Sequence, residues 1–206
     1  AVVNDNVRHK FQWDTYGPAY APTRLLGKTL GIVGIGRIGQ ETARIAAGIG
    51  MNVLAYDPFV NSERFNGPSG VNIHFCPNLD SLLTQADAVS LHIPLTTDSA
   101  GMISCKEIQQ MKPGAFLINV SRGPLIDQVA LQDALTSGHL GGAGLDVMSP
   151  EPPKWNDPIL SDRNLVLTPH IGWKSDQSII EVERDAVAEV RRILLGDTPK
   201  FQANGN

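Results

Sequence analysis

The spacing of apolar and polar positions changes character near residue 29. From there, short apolar runs rich in β-branched residues recur at 29–33, 52–56, 88–92, 115–119, 142–146 and 165–168, with 72–75 a weaker instance. Most are continuous rather than alternating, the pattern of strands covered on both faces. Helical spacing separates several of them. Residues 37–49 carry apolar or small side chains at Ile38, Thr42, Ile45, Ala46 and Ile49, and Gly50 ends the run. Ser104 followed by Glu107 forms a capping box that predicts a short helix ending before Lys112-Pro113. Asp127 is placed to N-cap a helix reaching Ser137, with Gly138 as its stop. Strands alternating with helices predict right-handed βαβ units, and so an α/β fold with a Rossmann-type, doubly wound parallel sheet.

The flanks read differently. Residues 1–28 are polar, with Gly17, Pro18 and Pro22 and little periodicity, and are expected to be a connecting arm. Residues 174–206 predict a long helix ended by Gly196, then a polar tail; its apolar set is Ile179, Val182, Ala186, Val187, Val190, Ile193 and Leu194. The nucleotide-binding body is therefore expected over 29–173. The 206 residues suffice for a sizeable core. A net charge of −4 with no block of Lys or Arg points away from nucleic acid and from a membrane surface. No apolar run approaches the ~20 residues of a membrane span. No signal peptide is evident, so a soluble, cytoplasmic protein is expected. Cys76 and Cys105 have no metal-ligand spacing, so no metal is expected, and both are expected to be buried thiols.

Chemistry enters with the run 29–33, which leads into Gly34-Ile-Gly36-Arg-Ile-Gly39 and then a helix. That context lifts the motif above a bare pattern match. Gly34 permits a tight turn, Gly36 lets a pyrophosphate approach the backbone, and Gly39 lets the helix pack closely. The helix N-terminus offers free N–H groups to phosphates. Asp57 closes the next strand, where a carboxylate accepts hydrogen bonds from ribose hydroxyls and repels a 2′-phosphate; NAD is favoured over NADP. A turn-forming Asp before Pro58 is compatible with that role, and nearby Arg64 could soften the preference.

Three more polar residues follow strand ends, where open α/β sheets bind ligands. Arg122 leaves the run 115–119 and can fork onto a carboxylate or keto oxygen. Glu151 follows the run 142–146, and His170 follows 165–168. A carboxylate beside His170 would stabilise its imidazolium, and His170 could then give or take the proton as hydride moves to or from carbon.

These phrases resemble the D-isomer-specific 2-hydroxyacid dehydrogenase family. The likeness runs from about Leu26 to Trp173. It includes Gly27-Lys-Thr-Leu-Gly-Ile-Val-Gly-Ile-Gly-Arg-Ile-Gly39, His92-Ile-Pro94-Leu-Thr, Asn119-Val-Ser-Arg-Gly, Leu145-Asp-Val, Glu151-Pro and Thr168-Pro-His-Ile-Gly. The resemblance implies catalytic roles for Arg122, Glu151 and His170. It also places Arg37, Ile38, Asp57, Ile93, Pro94, Ser99, Val120, Ser121, Arg122, Asp146, His170 and Gly172 at positions lining the family's NAD site. Ser99 stands where Thr is common and keeps the hydroxyl. Met148-Ser-Pro-Glu-Pro-Pro, with Trp173, looks most like the glycerate dehydrogenase and hydroxypyruvate reductase branch, whose substrates are small 2-hydroxy or 2-keto acids. Glu151 argues against formate, whose dehydrogenases usually carry Gln there.

Family members begin with a flavodoxin-like substrate domain, and no counterpart is present in this sequence. The chain is therefore expected to be a fragment or isolated domain that binds NAD, turns over poorly and exposes apolar surface. The family usually dimerises through its cofactor domain, which implies a homodimer. Its transcriptional corepressors use the same domain as an NAD(H)-sensing dimerisation switch, so a binding protein is the alternative reading. A third possibility, a domain for another nucleotide such as a methyl donor, is opposed by Asp57 together with Arg122 and His170.

Overall fold

The computed structural model describes residues 23–200. Most of the arm expected over 1–28, and the end of the tail, lie outside the described residues. The chain divides into two compact units, one ending at Pro169 and the other beginning at His170.

The first unit is built on seven parallel strands: β1 (Thr29–Val33), β2 (Asn52–Tyr56), β3 (Ile73–Phe75), β4 (Ala88–Leu91), β5 (Ala115–Asn119), β6 (Leu140–Leu145) and β7 (Leu165–Leu167). Their spatial order is β3-β2-β1-β4-β5-β6-β7. The chain moves outward from β1 through β2 to β3, then returns to place β4 on the other side of β1. That reversal opens a crevice at the carboxyl ends of β1 and β4. β6 starts two residues earlier than its apolar run at 142–146, because Leu140 and Gly141 belong to the strand and Gly141 and Gly142 do not turn the chain. Their backbone lies against the Gly114 carbonyl and Phe116, where a Cβ would collide.

Among the described residues, four helices cover the sheet: α1 (Arg37–Gly48), α2 (Leu79–Leu83), α3 (Cys105–Gln110) and α4 (Gln128–Thr136). Neighbouring strand residues serve opposite faces. Ile32 therefore joins the cluster formed with Ala43 and Ala46 of α1, while Val33 joins the cluster of Leu82, Ile108 and Leu131 from α2, α3 and α4. Leu82, Leu91 and Leu117 are fully buried, each worth about 1.5–3 kcal/mol over an exposed position. The expected caps form. Asp127 Oδ1 accepts from the amides of Val129 and Ala130 at 3.0 and 3.1 Å, and the Glu107 carboxylate accepts from the Ser104 amide at 3.1 Å.

Coverage on both faces, expected from the continuous apolar runs, does not extend to β5 and β7. Phe116 is 43% exposed and Val166 70%. Right-handed crossovers explain this. The steps from β3 onward all run in the same direction across the sheet, so α2, α3 and α4 lie on one side. The β1-to-β2 step runs the other way and puts α1 on the opposite side. Phe116, Ile118 and Val166 instead line a hollow of about 650 Å³ with Leu25, Leu30 and Met51. The expectation of two buried thiols is also corrected: Cys76 is half-buried, but Cys105 is exposed at the first position of α3, whose inward residue is Ile108.

The second unit is dominated by α5 (Asp176–Leu194). Ser175 Oγ accepts from the Ser178 amide at 2.9 Å, and Arg191 and Arg192 suit the negative end of the helix dipole. None of its residues is buried, and Ile180, Val187 and Leu194 are exposed. Among the described residues no helix is long and apolar enough to cross a membrane.

Candidate functional site

The crevice begins where β1 ends. Gly34 has φ +90°, and a Cβ there would lie 2.5 Å from Ile93 Cγ2 and 2.6 Å from the His92 carbonyl oxygen. The loop is thus pressed against the end of β4. A Cβ on Gly39 would collide with the Gly34 carbonyl, so the first turn of α1 sits directly on the loop. Gly36 differs: a Cβ there would meet nothing within 4 Å. As the N-cap of α1 it has no side chain to satisfy the first amides of the helix. Open space beside an uncapped helix start suits a diphosphate. The adjoining hollow, about 530 Å³, is lined by Gly36, Arg37, Ile38, Glu41 and His92. Glu41 is paired with Arg44 at 2.8 Å, which offsets its charge there.

Asp57 follows β2 and is half-buried. Its Oδ2 accepts from the Ile35 amide at 3.0 Å and its Oδ1 from the Phe59 amide at 3.0 Å. One carboxylate therefore clamps the glycine loop to β2 and forms the turn at Pro58. Each oxygen has a second lone pair for a ribose hydroxyl.

A second hollow, about 370 Å³, is lined by Ile38, His92, Ile93, Pro94, Leu95, Val120, Ser121 and Arg122. Its floor is a hydrogen-bonded turn. Asn119, 1% exposed at the end of β5, donates through Nδ2 to the Arg122 carbonyl at 2.8 Å and accepts at Oδ1 from the Ser121 amide at 3.0 Å. Ser121 Oγ donates to the Leu91 carbonyl at 2.8 Å, joining this turn to β4. Gly123 passes so close to the Met148 carbonyl that no Cβ fits. Arg122 is held by its backbone while its side chain stays exposed, with Nη1 donating to the Ser121 carbonyl at 2.6 Å. In the sequence, Asn119 and His92 stand within the family-like phrases with no role of their own. A polar residue at the end of an apolar strand was the available signal for Asn119.

The remaining expected residues take distinct places. Ser99 Oγ donates to the Pro94 carbonyl at 2.9 Å and accepts from the Thr96 amide at 2.7 Å, so its hydroxyl shapes the loop after β4. Asp146 is 6% exposed at the end of β6, and its Oδ1 accepts from Thr168 Oγ1 at 2.5 Å, bracing β6 against β7. Glu151 Oε1 accepts from the Met148 amide at 2.8 Å. His170 opens the second unit with φ +53°, a left-handed backbone that few residues other than glycine adopt, and its carbonyl accepts from Trp173 Nε1 at 3.2 Å. Gly172 lies in the same turn. Burial holds the His92 imidazole down at a pKa of about 4.

A doubly wound sheet with a glycine-rich loop, a carboxylate at the end of the second strand, and two hollows that share Ile38 and His92, one at that loop and one at an arginine, defines a dinucleotide-binding domain. Comparison with known proteins gives its family. Residues 2–172 match the NAD binding domain of the D-isomer specific 2-hydroxyacid dehydrogenases, and the chain belongs to that family. It is 40% identical over 197 residues to a hydroxypyruvate reductase of Blautia hydrogenotrophica, covering 94% of this chain and 60% of that protein. It is 39% identical over 174 residues to a D-3-phosphoglycerate dehydrogenase of Synechocystis, covering 84% of this chain and 30% of that protein. Among solved structures, D-lactate dehydrogenase of Aquifex aeolicus with NAD and lactic acid superposes with a TM-score of 0.83 at 31% identity, over 95% of this chain and 61% of that one. NAD is the cofactor of this domain. The chain spans 60% or less of the curated relatives described.

Proposed function

We propose that this domain serves an NAD-dependent oxidoreductase acting between a small D-2-hydroxy acid and its 2-keto acid, of the hydroxypyruvate or glyoxylate kind. The observation that carries this reading is the turn at Asn119, which presents Arg122 from the end of β5 at a hollow that shares Ile38 and His92 with the hollow at the glycine loop. Bound NAD supplies or accepts the hydride. Gly34, Gly36, Gly39, Arg37 and Ile38 hold the diphosphate end, and Asp57 holds the adenosine ribose. Ile93, Pro94, Val120 and Ser121 wall the nicotinamide end, with Asp146, Ser99 and Gly172 shaping the surrounding loops. Arg122 forks onto the carboxylate or keto oxygen and fixes which carbon faces the cofactor. His170 gives a proton to the carbonyl oxygen in reduction and takes one from the hydroxyl in oxidation, with Glu151 stabilising its imidazolium. The family likeness and the exposed Phe116 face support a homodimer, and the free thiols Cys76 and Cys105 suit the cytoplasm.

NADH oxidation by the full-length protein, with hydroxypyruvate, glyoxylate and pyruvate, tests the reading. Turnover is expected with the first two. Arg122→Gln and His170→Gln should each lower kcat/KM by about 10²-fold or more. Saturable NADH binding without turnover of any 2-keto acid would contradict it and favour a sensing role. Sedimentation velocity tests the dimer.

A further inference from the structure

His92 lies between the two hollows of the crevice and belongs to the walls of both. Its backbone amide donates to the Val33 carbonyl at 2.8 Å, which seats it directly beside Gly34. Its ring is tied on one side only: Nε2 shares a 2.9 Å hydrogen bond with Ser90 Oγ, and Ser90 is itself 5% exposed within β4. The other nitrogen, Nδ1, is closed off from solvent and has no hydrogen-bond partner. Buried polar atoms nearly always have partners, so an orphan nitrogen at a ligand crevice calls for one. Ser90 can donate or accept, so Nδ1 is a donor in one tautomer and an acceptor in the other. A hydroxyl can answer either form, whereas a phosphate oxygen can answer only the donor. Meeting a ligand requires the ring to turn so that Nδ1 faces the crevice.

We propose that His92 is a positioning residue for the cofactor, its Nδ1 meeting a hydroxyl of the second ribose of NAD, between the diphosphate at Gly36 and the nicotinamide end at Arg122. This rests on the NAD-binding reading of the crevice. It gives the enzyme a neutral contact that fixes the ribose nearest the reacting ring, and Ser90 sets the orientation of that contact.

Imidazole ¹H–¹⁵N correlation spectra of the full chain test it, with the His92 signals assigned by their loss in His92→Gln. ADP-ribose and NAD+ should each move the Nδ1 resonance in step with saturation of binding. ADP, which lacks the second ribose, should bind and leave it in place. Side-chain replacement gives an independent readout. Asn sets an amide near the Nδ1 position, whereas Gln sets one near Nε2 and keeps the Ser90 bond. His92→Gln should weaken NADH binding about tenfold, and His92→Asn should recover most of that loss. A purely structural role through Ser90 predicts the reverse order. Saturation by NAD+ with a stationary Nδ1 signal would overturn the proposal and leave NAD binding intact, and so would ADP moving the signal as far as ADP-ribose does. Absence of binding by NAD+ and ADP-ribose alike would overturn both.

Discussion

Gly36 and Gly39 stand three residues apart and answer different demands. A methyl at Gly39 would collide with the Gly34 carbonyl, whereas a methyl at Gly36 would enter open space. Gly39→Ala should therefore destabilise the fold, by about 1–3 kcal/mol if the loop shifts to accept it. Gly36→Ala should unfold at nearly the wild-type denaturant midpoint yet bind NADH at least tenfold more weakly, because the methyl would enter the open space proposed for the diphosphate. Parallel denaturation and NADH titrations separate the two effects, and equal loss of stability in both variants would contradict this account. Burial at His92 makes a second prediction. Its pKa falls from 6.5 to about 4, so on acidification the unfolded chain takes up the proton first. The contribution of the neutral ring is full above pH 6.5 and is lost as pH falls toward about 4. Between pH 7 and pH 5 unfolding free energy should fall by on the order of 2 kcal/mol from this group. His92→Gln should flatten that slope in urea titrations; an unchanged slope would assign the acid sensitivity elsewhere. Asp87 adds to the same trend at lower pH. Partial burial raises its pKa, but the Thr29 amide and Lys112, with Lys28, outweigh burial and hold it below the usual value.

Among the elements, the turn after β5 carries most of the site. Asn119 spends its amide on the backbone of Ser121 and Arg122. Asn119→Leu should cost about 1–3 kcal/mol through the lost hydrogen bonds and should lower kcat/KM while Arg122 is unaltered. Wild-type kcat/KM in this variant would show that the turn does not position Arg122. Much of this architecture was legible in the sequence, because strand–turn–helix signals are local. Continuous apolar runs marked six strands, and Asp127, Ser104 and Gly50 marked helix ends. What stayed hidden was set by distant contacts. α2 is only five residues long and too short to show a period, although Asn78 caps it by accepting from Ser81. The bracing of Asp146 against Thr168 joins residues 22 apart in sequence, and the spending of the Ser99 hydroxyl on the Pro94 carbonyl depends on how that loop folds. The resemblance implies places for Asp146 and Ser99 along the NAD site but cannot show what their polar atoms contact.

At the scale of the molecule, the single reversal of strand order at β1 creates the crevice, and the same handedness leaves Phe116 and Val166 uncovered. Glycines, carboxylate and arginine lie far apart in sequence and share one edge only because every strand runs parallel. This edge is proposed to hold NAD, with Asp57 selecting against a 2′-phosphate. The most direct measurement is a pair of fluorescence titrations of the chain with NADH and with NADPH, repeated on Asp57→Ala. NADH should bind saturably with a clear preference over NADPH, and that preference should fall about tenfold or more when Asp57 is removed. Equal affinity for the two cofactors, or a preference that survives the loss of Asp57, would contradict it.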